Sequence, residues 1–384
     1  MPEKNPKNPL MTYDFRLLFP VLFLVGIGVV MVYSASSAIA HETYDNSYLF
    51  LKRQAIFALA GAAMLIVCRH VPYRWYRPFT YPLLSLALIL LAAVHVPGLG
   101  FEAGGSTRWL RLGPVTFQPS ELARVVLIMY LAYSMDRKQA QIKVFSIGYV
   151  PHMAVLALFM GLIITQPDFG AVVILAAITW IMLFVGGVRI AYLAMTVMML
   201  VPAAYYVLIH AAYRLKRLMS FLDPWQYPSA EGYQIIHSMM AFGTGGLWGT
   251  GVGKGYQKLF YLPEPHTDFI FSVIGEELGL VGVVIILGLY GLILWRGIGI
   301  ARNASDPYGS FLATGLTVGI VLQVCVNMAV ALGLLPTKGL TLPFLSYGGT
   351  SLLVNMAAVG ILMNISSTDP RAVAAKRRSA HAAN

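Results

Sequence analysis

The sequence predicts an all-α integral membrane protein, a ten-span helical bundle with a long outer loop between spans seven and eight. Three observations predict it. Of 384 residues, 58% are hydrophobic and only 11% are charged, where a soluble domain carries about 25% charge. Mean hydropathy is +0.71. The apolar residues come in continuous runs long enough for a membrane-crossing helix of about 20 residues, and runs such as Leu83 to Val94 lack the alternation of a transmembrane barrel strand. Too little charge is present to clothe a water-exposed surface, which excludes soluble enzymes, nucleic-acid binders and disordered chains.

The spans fall at roughly 16–40, 54–70, 79–97, 121–136, 149–165, 170–187, 190–211, 269–295, 309–334 and 345–366. The first follows Lys4, Lys7 and Arg16, and Ala38-Ile-Ala40 has the form of a signal cleavage site. Its apolar run from Leu17 to Tyr33 exceeds a signal core, so it reads as an uncleaved span. Residues 1–15 and 367–384 read as cytoplasmic tails around a membrane domain of 16–366, with 212–268 as its long outer loop. Orientation rests on the basic residues. With the N-terminus inside, 16 of the 27 Lys and Arg lie on inner segments, among them Arg69, Arg74, Arg77, Arg137, Arg296, Arg371, Lys376, Arg377 and Arg378. Five more, Arg214, Lys216, Arg217, Lys254 and Lys258, share the long loop. The acids run the other way: only Glu3, Asp14, Asp136, Asp306 and Asp369 are inside. Acid–base chemistry is therefore expected at the outer face.

The long loop carries Trp225, Tyr227, Tyr233, Trp248, Tyr256 and Phe260, too many aromatics for a disordered segment, and Glu231 to Phe242 is amphipathic enough to lie in the membrane interface. Its Gly243-Thr-Gly-Gly-Leu-Trp-Gly-Thr-Gly-Val-Gly-Lys-Gly255 stretch is no phosphate-binding Walker loop. Trp248 stands where the first glycine belongs and Gly255 where Ser or Thr belongs. Two readings remain, a flexible turn or backbone N–H groups and Lys254 beside a phosphate. Further on, Asp268 sits at the mouth of the eighth span. It or Thr267 could cap the helix, but Glu264 and His266 crowd the same turn and Glu276 and Glu277 lie two to three turns deeper. Carboxylates inside a span usually face a cavity or partner, which favours a polar outer cavity. Arg108 and Arg111 flank Trp109 nearby in the sequence of the outer face. Glu121 and Arg124 form an i,i+3 pair, with Ser120 as an ordinary cap. Asp168 separates two spans, and Lys338 follows Gly333-Leu-Leu-Pro-Thr. The histidines, His210, His237 and His266 among them, lack zinc-ligand spacing, and Cys68 and Cys325 sit in apolar runs.

Pro263-Glu-x-His-Thr-Asp-Phe-Ile-Phe271, Gly275-Glu-Glu-Leu-Gly279, Gln118-Pro-Ser-Glu121 and Pro343-Phe-Leu-Ser-Tyr-Gly-Gly349 resemble the signatures of the SEDS family (shape, elongation, division and sporulation). The resemblance covers about residues 12–367. The segment around Lys338 is more similar to the cell-division branch than to the elongation branch. The resemblance implies a bacterial inner-membrane peptidoglycan glycosyltransferase at the division septum. Its donor would be a glycan on undecaprenyl pyrophosphate and its acceptor lipid II, with Asp268 as the essential aspartate. Implied partners are a class B penicillin-binding transpeptidase, other division proteins and membrane lipid, with no nucleic acid. Substrate contacts are expected from Arg108, Glu121, Lys254, Glu264, His266, Lys338 and Ser346, with Arg108, Lys254 and Lys338 facing the pyrophosphate. The chemistry leaves room for a divalent cation, Mg or Mn, and calls for no nucleotide, haem or zinc. Two other readings are a lipid II flippase and a noncatalytic scaffold for the transpeptidase. The concentration of acids on one face argues for surface catalysis instead.

Overall fold

The structure, a computed structural model, describes residues 13–103, 106–113, 115–209, 219–228, 232–259 and 262–368. Glu3, Lys4, Lys7, His210, Arg214, Lys216, Arg217, Glu231, Phe260, Asp369, Arg371, Lys376, Arg377 and Arg378 lie outside the described residues.

Three helices open the chain: α1 (Phe15–Tyr44), α2 (Leu49–His70) and α3 (Thr80–Ala93). After the sheet described below come α4 (Pro119–Arg137), α5 (Val150–Ile164), α6 (Phe169–Val185), α7 (Ile190–Ile209) and α8 (Tyr233–Gly245). The chain then forms α9 (Ile270–Arg302), α10 (Pro307–Ala331) and α11 (Gly349–Ser367). Each of the ten expected segments contains a helix. Six stretches are long and apolar enough to cross a membrane by length and composition: α1, α2, Phe145–Ile164, α9, α10 and α11. The protein is therefore a multi-pass membrane protein. α4 is nearly all buried from Pro119 to Met135, and it carries Glu121 and Arg124 into the centre of the bundle.

Among the described residues the all-α expectation needs one correction. Between α3 and α4 the chain forms a three-stranded antiparallel sheet of β1 (Gly100–Ala103), β2 (Ser106–Leu112) and β3 (Val115–Phe117). Phe101 pairs with Trp109 and Leu110 with Phe117 in the two ladders. Strands of three to seven residues are too short to show a clear period in a sequence dominated by apolar helices. Gly98 and Gly113, both with positive φ, turn the chain before β1 and between β2 and β3.

One end of the bundle collects the ion pairs that the charge pattern assigned to the inner side. Asp14 bonds Arg296 at 2.7 Å, Arg74 bonds Asp306 at 3.0 Å, and Arg77 reaches Asp136 at 3.4 Å. Asp306 also caps α10 by accepting the Gly309 N–H at 2.8 Å. The sheet, α8 and the turn before α9 lie at the other end.

At 33 residues, α9 would be about 50 Å long, against a hydrocarbon core of about 30 Å. It breaks at Gly279, where φ is +63°, and the remaining 280–302 segment is itself long enough to span. The glycine-rich loop fills the break. Leu280 N–H donates to Gly246 O at 2.9 Å and Val281 N–H to Leu247 O, while Thr250 and Gly251 donate to the Glu276 and Glu277 carbonyls. Gly249, also at positive φ, lies against the Glu277 carbonyl so closely that no Cβ would fit.

The side chains of Glu276 and Glu277 hold the same loop, and this corrects the expectation that they line an outer cavity. Glu276 accepts the Tyr256 N–H at 2.7 Å and the Gln257 N–H at 3.2 Å. Glu277 accepts the Gly253 N–H at 3.0 Å, Ser34 Oγ at 2.7 Å, and Lys258 Nζ at 2.5 Å. The anion facing these loop amides is thus part of the protein. Lys258 and Glu277 are both buried, so removing one charge strands the other. Lys258→Met is expected to cost about 3 kcal/mol and lower the melting temperature in detergent, and Lys258→Met with Glu277→Gln to recover part of the loss. Equal melting of wild type and Lys258→Met would show that the pair fastens nothing.

Candidate active site

Asp268 lies in the short turn leading into α9. It does not cap that helix: Phe269 holds the cap position and no side chain bonds the free N–H groups there. Instead the turn is fastened by neighbours. Asn327, on α10, donates Nδ2 to Asp268 O at 2.9 Å and to Leu340 O at 2.6 Å, joining the 262–269 and 337–341 segments. Ser346 Oγ donates to Thr267 O at 2.6 Å and accepts Leu342 N–H at 2.8 Å. Tyr347 N–H donates to His266 O at 2.9 Å.

The Asp268 side chain, half-buried, opens on a cavity of about 510 Å³ at the end of the bundle opposite the Asp14, Asp136 and Asp306 ion pairs. The cavity draws its walls from β2, α4, α6, α10, α11 and the two strapped segments. Five of the eight expected site residues line it: Arg108, Glu121, Glu264, Asp268 and Lys338. Arg108 Nη2 donates to Pro167 O at 2.7 Å. Gly339 stands between acid and base, since a Cβ there would lie 3.3 Å from Asp268 Oδ2 and 3.4 Å from Arg108 Nη1. Lys338 Nζ sits 5.2 Å from the Phe169 ring centre. Glu264, exposed and at φ +51°, accepts Thr267 Oγ1 at 2.9 Å.

The other three stand off the cavity wall. Ser346 is a strap, as above. His266 is buried against Phe50 at 4.6 Å and Tyr347 at 5.6 Å between ring centres, and burial lowers its affinity for a proton. Lys254 is exposed at the loop tip, on the segment held by Glu276 and Glu277.

Two charged residues complete the cavity without having been assigned to it. Arg124, buried, is fixed by Glu121 Oε2 at 3.0 Å and Asn355 Oδ1 at 3.0 Å. Asp168 accepts the Ala171 N–H at 3.1 Å as the cap of α6. Gln323 links the floor to the rim, donating to Thr341 O at 3.0 Å and Glu121 Oε1 at 3.4 Å. Polar residues inside otherwise apolar spans were the signal available for Arg124, Gln323, Asn327 and Asn355.

Three cations and four carboxylates therefore share one cavity. Burial raises the Asp268 pKa most, and Glu264 and Asp168 add to the rise while Arg108 opposes it, leaving the value at about 7. A carboxylate titrating there can accept a proton near neutral pH and be a stronger base than an ordinary aspartate. Among the described residues no three His, Cys, Asp or Glu side chains converge as metal ligands.

A half-buried carboxylate sharing a polar cavity with three cations, at one end of a multi-pass helical bundle, makes this cavity the candidate active site of a membrane-embedded protein. Residues 15–370 match the model of the Cell cycle protein family that unites FtsW, RodA and SpoVE, and the chain belongs to this family. It is FtsW-like: the "Probable peptidoglycan glycosyltransferase FtsW" of Trichlorobacter lovleyi is 50% identical over 93% of this chain and 94% of its own. The Bacillus subtilis stage V sporulation protein E is 42% identical over 92% and 96%. Among solved structures, a chain from a peptidoglycan synthase complex that coordinates polymerization and crosslinking superposes with a TM-score of 0.77. It is 31% identical over 93% of this chain and 98% of that one. The Thermus thermophilus Rod shape determining protein RodA gives 0.71 at 29% identity, over 94% and 99%.

The raised pKa has a stability consequence of definite sign. Between the ordinary value of 3.8 and about 7, the folded protein keeps a proton that the unfolded chain releases. The contribution is fully present below about 4 and is lost as pH rises to about 7. Asp268→Asn is expected to melt higher than wild type at pH 8 and to differ less at pH 4. Parallel melting curves across that range would mean the carboxyl titrates normally.

Proposed function

We propose that the chain is a cell-division peptidoglycan glycosyltransferase that polymerises lipid II at the outer face of the bacterial inner membrane. The observation that carries the reading is Asp268, poised near neutrality in a cavity it shares with Arg108, Arg124 and Lys338. The relatives' names support the reaction class, and the likeness to a synthase-complex chain supports a class B penicillin-binding transpeptidase as partner. On this reading residues 16–366 form a ten-span domain, both termini are cytoplasmic, and the protein works at the septum with other division proteins.

The acceptor's sugar 4-hydroxyl is a weak nucleophile until its proton is taken. Asp268 accepts that proton as the oxygen attacks the donor's anomeric carbon, a contribution of about 10²–10⁴-fold. The bond from that carbon to the pyrophosphate oxygen breaks, and undecaprenyl pyrophosphate leaves. Attack opposite an α-linked leaving group yields a β-linkage. Arg108, Arg124 and Lys338 provide fixed positive charge for the departing pyrophosphate, worth more in a partly dry site than in water. Glu121 holds Arg124 in place. Lys254, outside the cavity, has no part in this step. The carboxylates do not fit a metal cage built by the protein alone, so Mg or Mn would draw its ligands chiefly from the pyrophosphate.

Purified protein with its transpeptidase and labelled lipid II should give a glycan ladder. Asp268→Asn should lose about 10²–10⁴ in rate while keeping its fold. The wild-type rate should climb with pH and level off above about 7, as the base loses its proton. Gly339→Leu, which drives a branched side chain between Asp268 and Arg108, should cost on the order of 10²-fold with melting unchanged. An undiminished ladder from Asp268→Asn would remove the base from the mechanism, and translocation of lipid II without any polymer would favour a transporter.

A further inference from the structure

Beside the main cavity lies a second one of about 390 Å³. It is walled by the turn after α3, by Gly100 and Glu102 of β1 with Ser106 and Thr107 of β2, and by the α5–α6 turn. The two are neighbours: Ser106 lines both, and Pro167, whose carbonyl takes the Arg108 guanidinium, walls the second. Their chemistry differs sharply. The first holds Arg108, Arg124 and Lys338, whereas among the described residues no Lys or Arg lines the second. Its polar groups are His95, bonded through Nε2 to Thr165 Oγ1 at 2.8 Å, and Glu102 with Thr107, which are register partners across β1 and β2. Val96 and Pro97 supply an apolar face. Hydroxyls, one carboxylate and one imidazole around a small apolar surface suit a neutral, hydroxyl- and amide-bearing ligand, and an anionic pyrophosphate finds no counter-charge there.

We propose that this second cavity is a neutral-sugar subsite that holds the growing glycan strand beyond its reacting end. The inference rests on the polymerase reading for its ligand. Of the two substrates, only the donor has further sugars leading away from the reacting carbon. The acceptor's reacting sugar is its outermost one, and its remaining sugar leads back to the lipid. The pyrophosphate of the donor stays with the cations, and the sugars that follow enter the cavity that has none.

Two measurements on the full chain test it. In the first, neutral oligomers of β-1,4-linked N-acetylglucosamine are titrated against wild type, His95→Ala, Glu102→Gln and Val96→Trp. Val96 is exposed, so the added ring fills the cavity without disturbing a packed core. Each variant should bind at least about fivefold more weakly, as expected for a lost hydrogen bond or a blocked site. In the second, the variants with the transpeptidase and lipid II should make strands shortened about fivefold, while the first coupling of two lipid II molecules is unchanged. Equal oligomer binding by all four proteins would overturn the subsite, as would strand length falling only in step with the first coupling. Oligomer binding weakened by the variants in a protein that makes no glycan would uphold the sugar site and reject the polymerase reading instead.

Discussion

In a bilayer every backbone N–H and C=O must find a partner inside the protein. The end of this molecule that holds the candidate site is built largely from segments that are not helices, so that demand shapes the site. The turn at 262–269 and the stretch at 337–348 cannot satisfy themselves. Asn327 and Gln323 reach out from α10, Gln54 from α2 donates to Ser346 O at 3.3 Å, and Ser346 closes the set. Asp268 is placed by bonds to its backbone and to its neighbours' backbone, which leaves the carboxyl itself to the cavity. The same demand explains the glycine-rich loop, whose amides are met by Glu276, Glu277 and the carbonyls freed at the Gly279 break.

The carboxylates thus divide into two kinds by what surrounds them. Glu276 and Glu277 are buried amid amides, a hydroxyl and an ammonium, and their charge is consumed in holding the loop. Asp268, Glu264 and Asp168 gather around a half-open cavity, where burial first and then the neighbouring carboxylates make Asp268 reluctant to ionise. Arg108, Arg124 and Lys338 balance the cavity overall. Each is anchored differently: Arg108 on a carbonyl, Arg124 on Glu121 and Asn355, and Lys338 over an aromatic ring. A charged substrate entering this space meets groups already oriented, at little further cost in reorganisation.

Much of this was legible beforehand. Long apolar runs gave the helices to within a few residues, because crossing a membrane constrains length and composition so tightly. The opposing asymmetry of bases and acids separated the two ends, and the ion pairs of Asp14, Asp306 and Asp136 with Arg296, Arg74 and Arg77 gather at one of them. The crowding of Glu264, His266 and Asp268 in one turn pointed to the cavity that Glu264 and Asp268 line, though His266 stands off its wall. The small sheet escaped notice, since strands so short leave little periodic signal. So did α4 as a buried central helix, whose mixed composition weakens it as a span while its charges explain its position.

By itself the sequence determined that this is a helical membrane protein of the SEDS family and singled out Asp268 as the candidate acid, because hydropathy and contiguous motifs are local properties. Which distant side chains share a cavity was decided only by the tertiary structure. Glu276 stands eight residues from Asp268 and faces the loop, whereas Arg124 and Gln323 come from other helices to line the cavity. Lys254 is exposed and does not line the cavity for the same reason. Helix packing and the satisfaction of irregular backbone set these directions, and both depend on residues far apart along the chain.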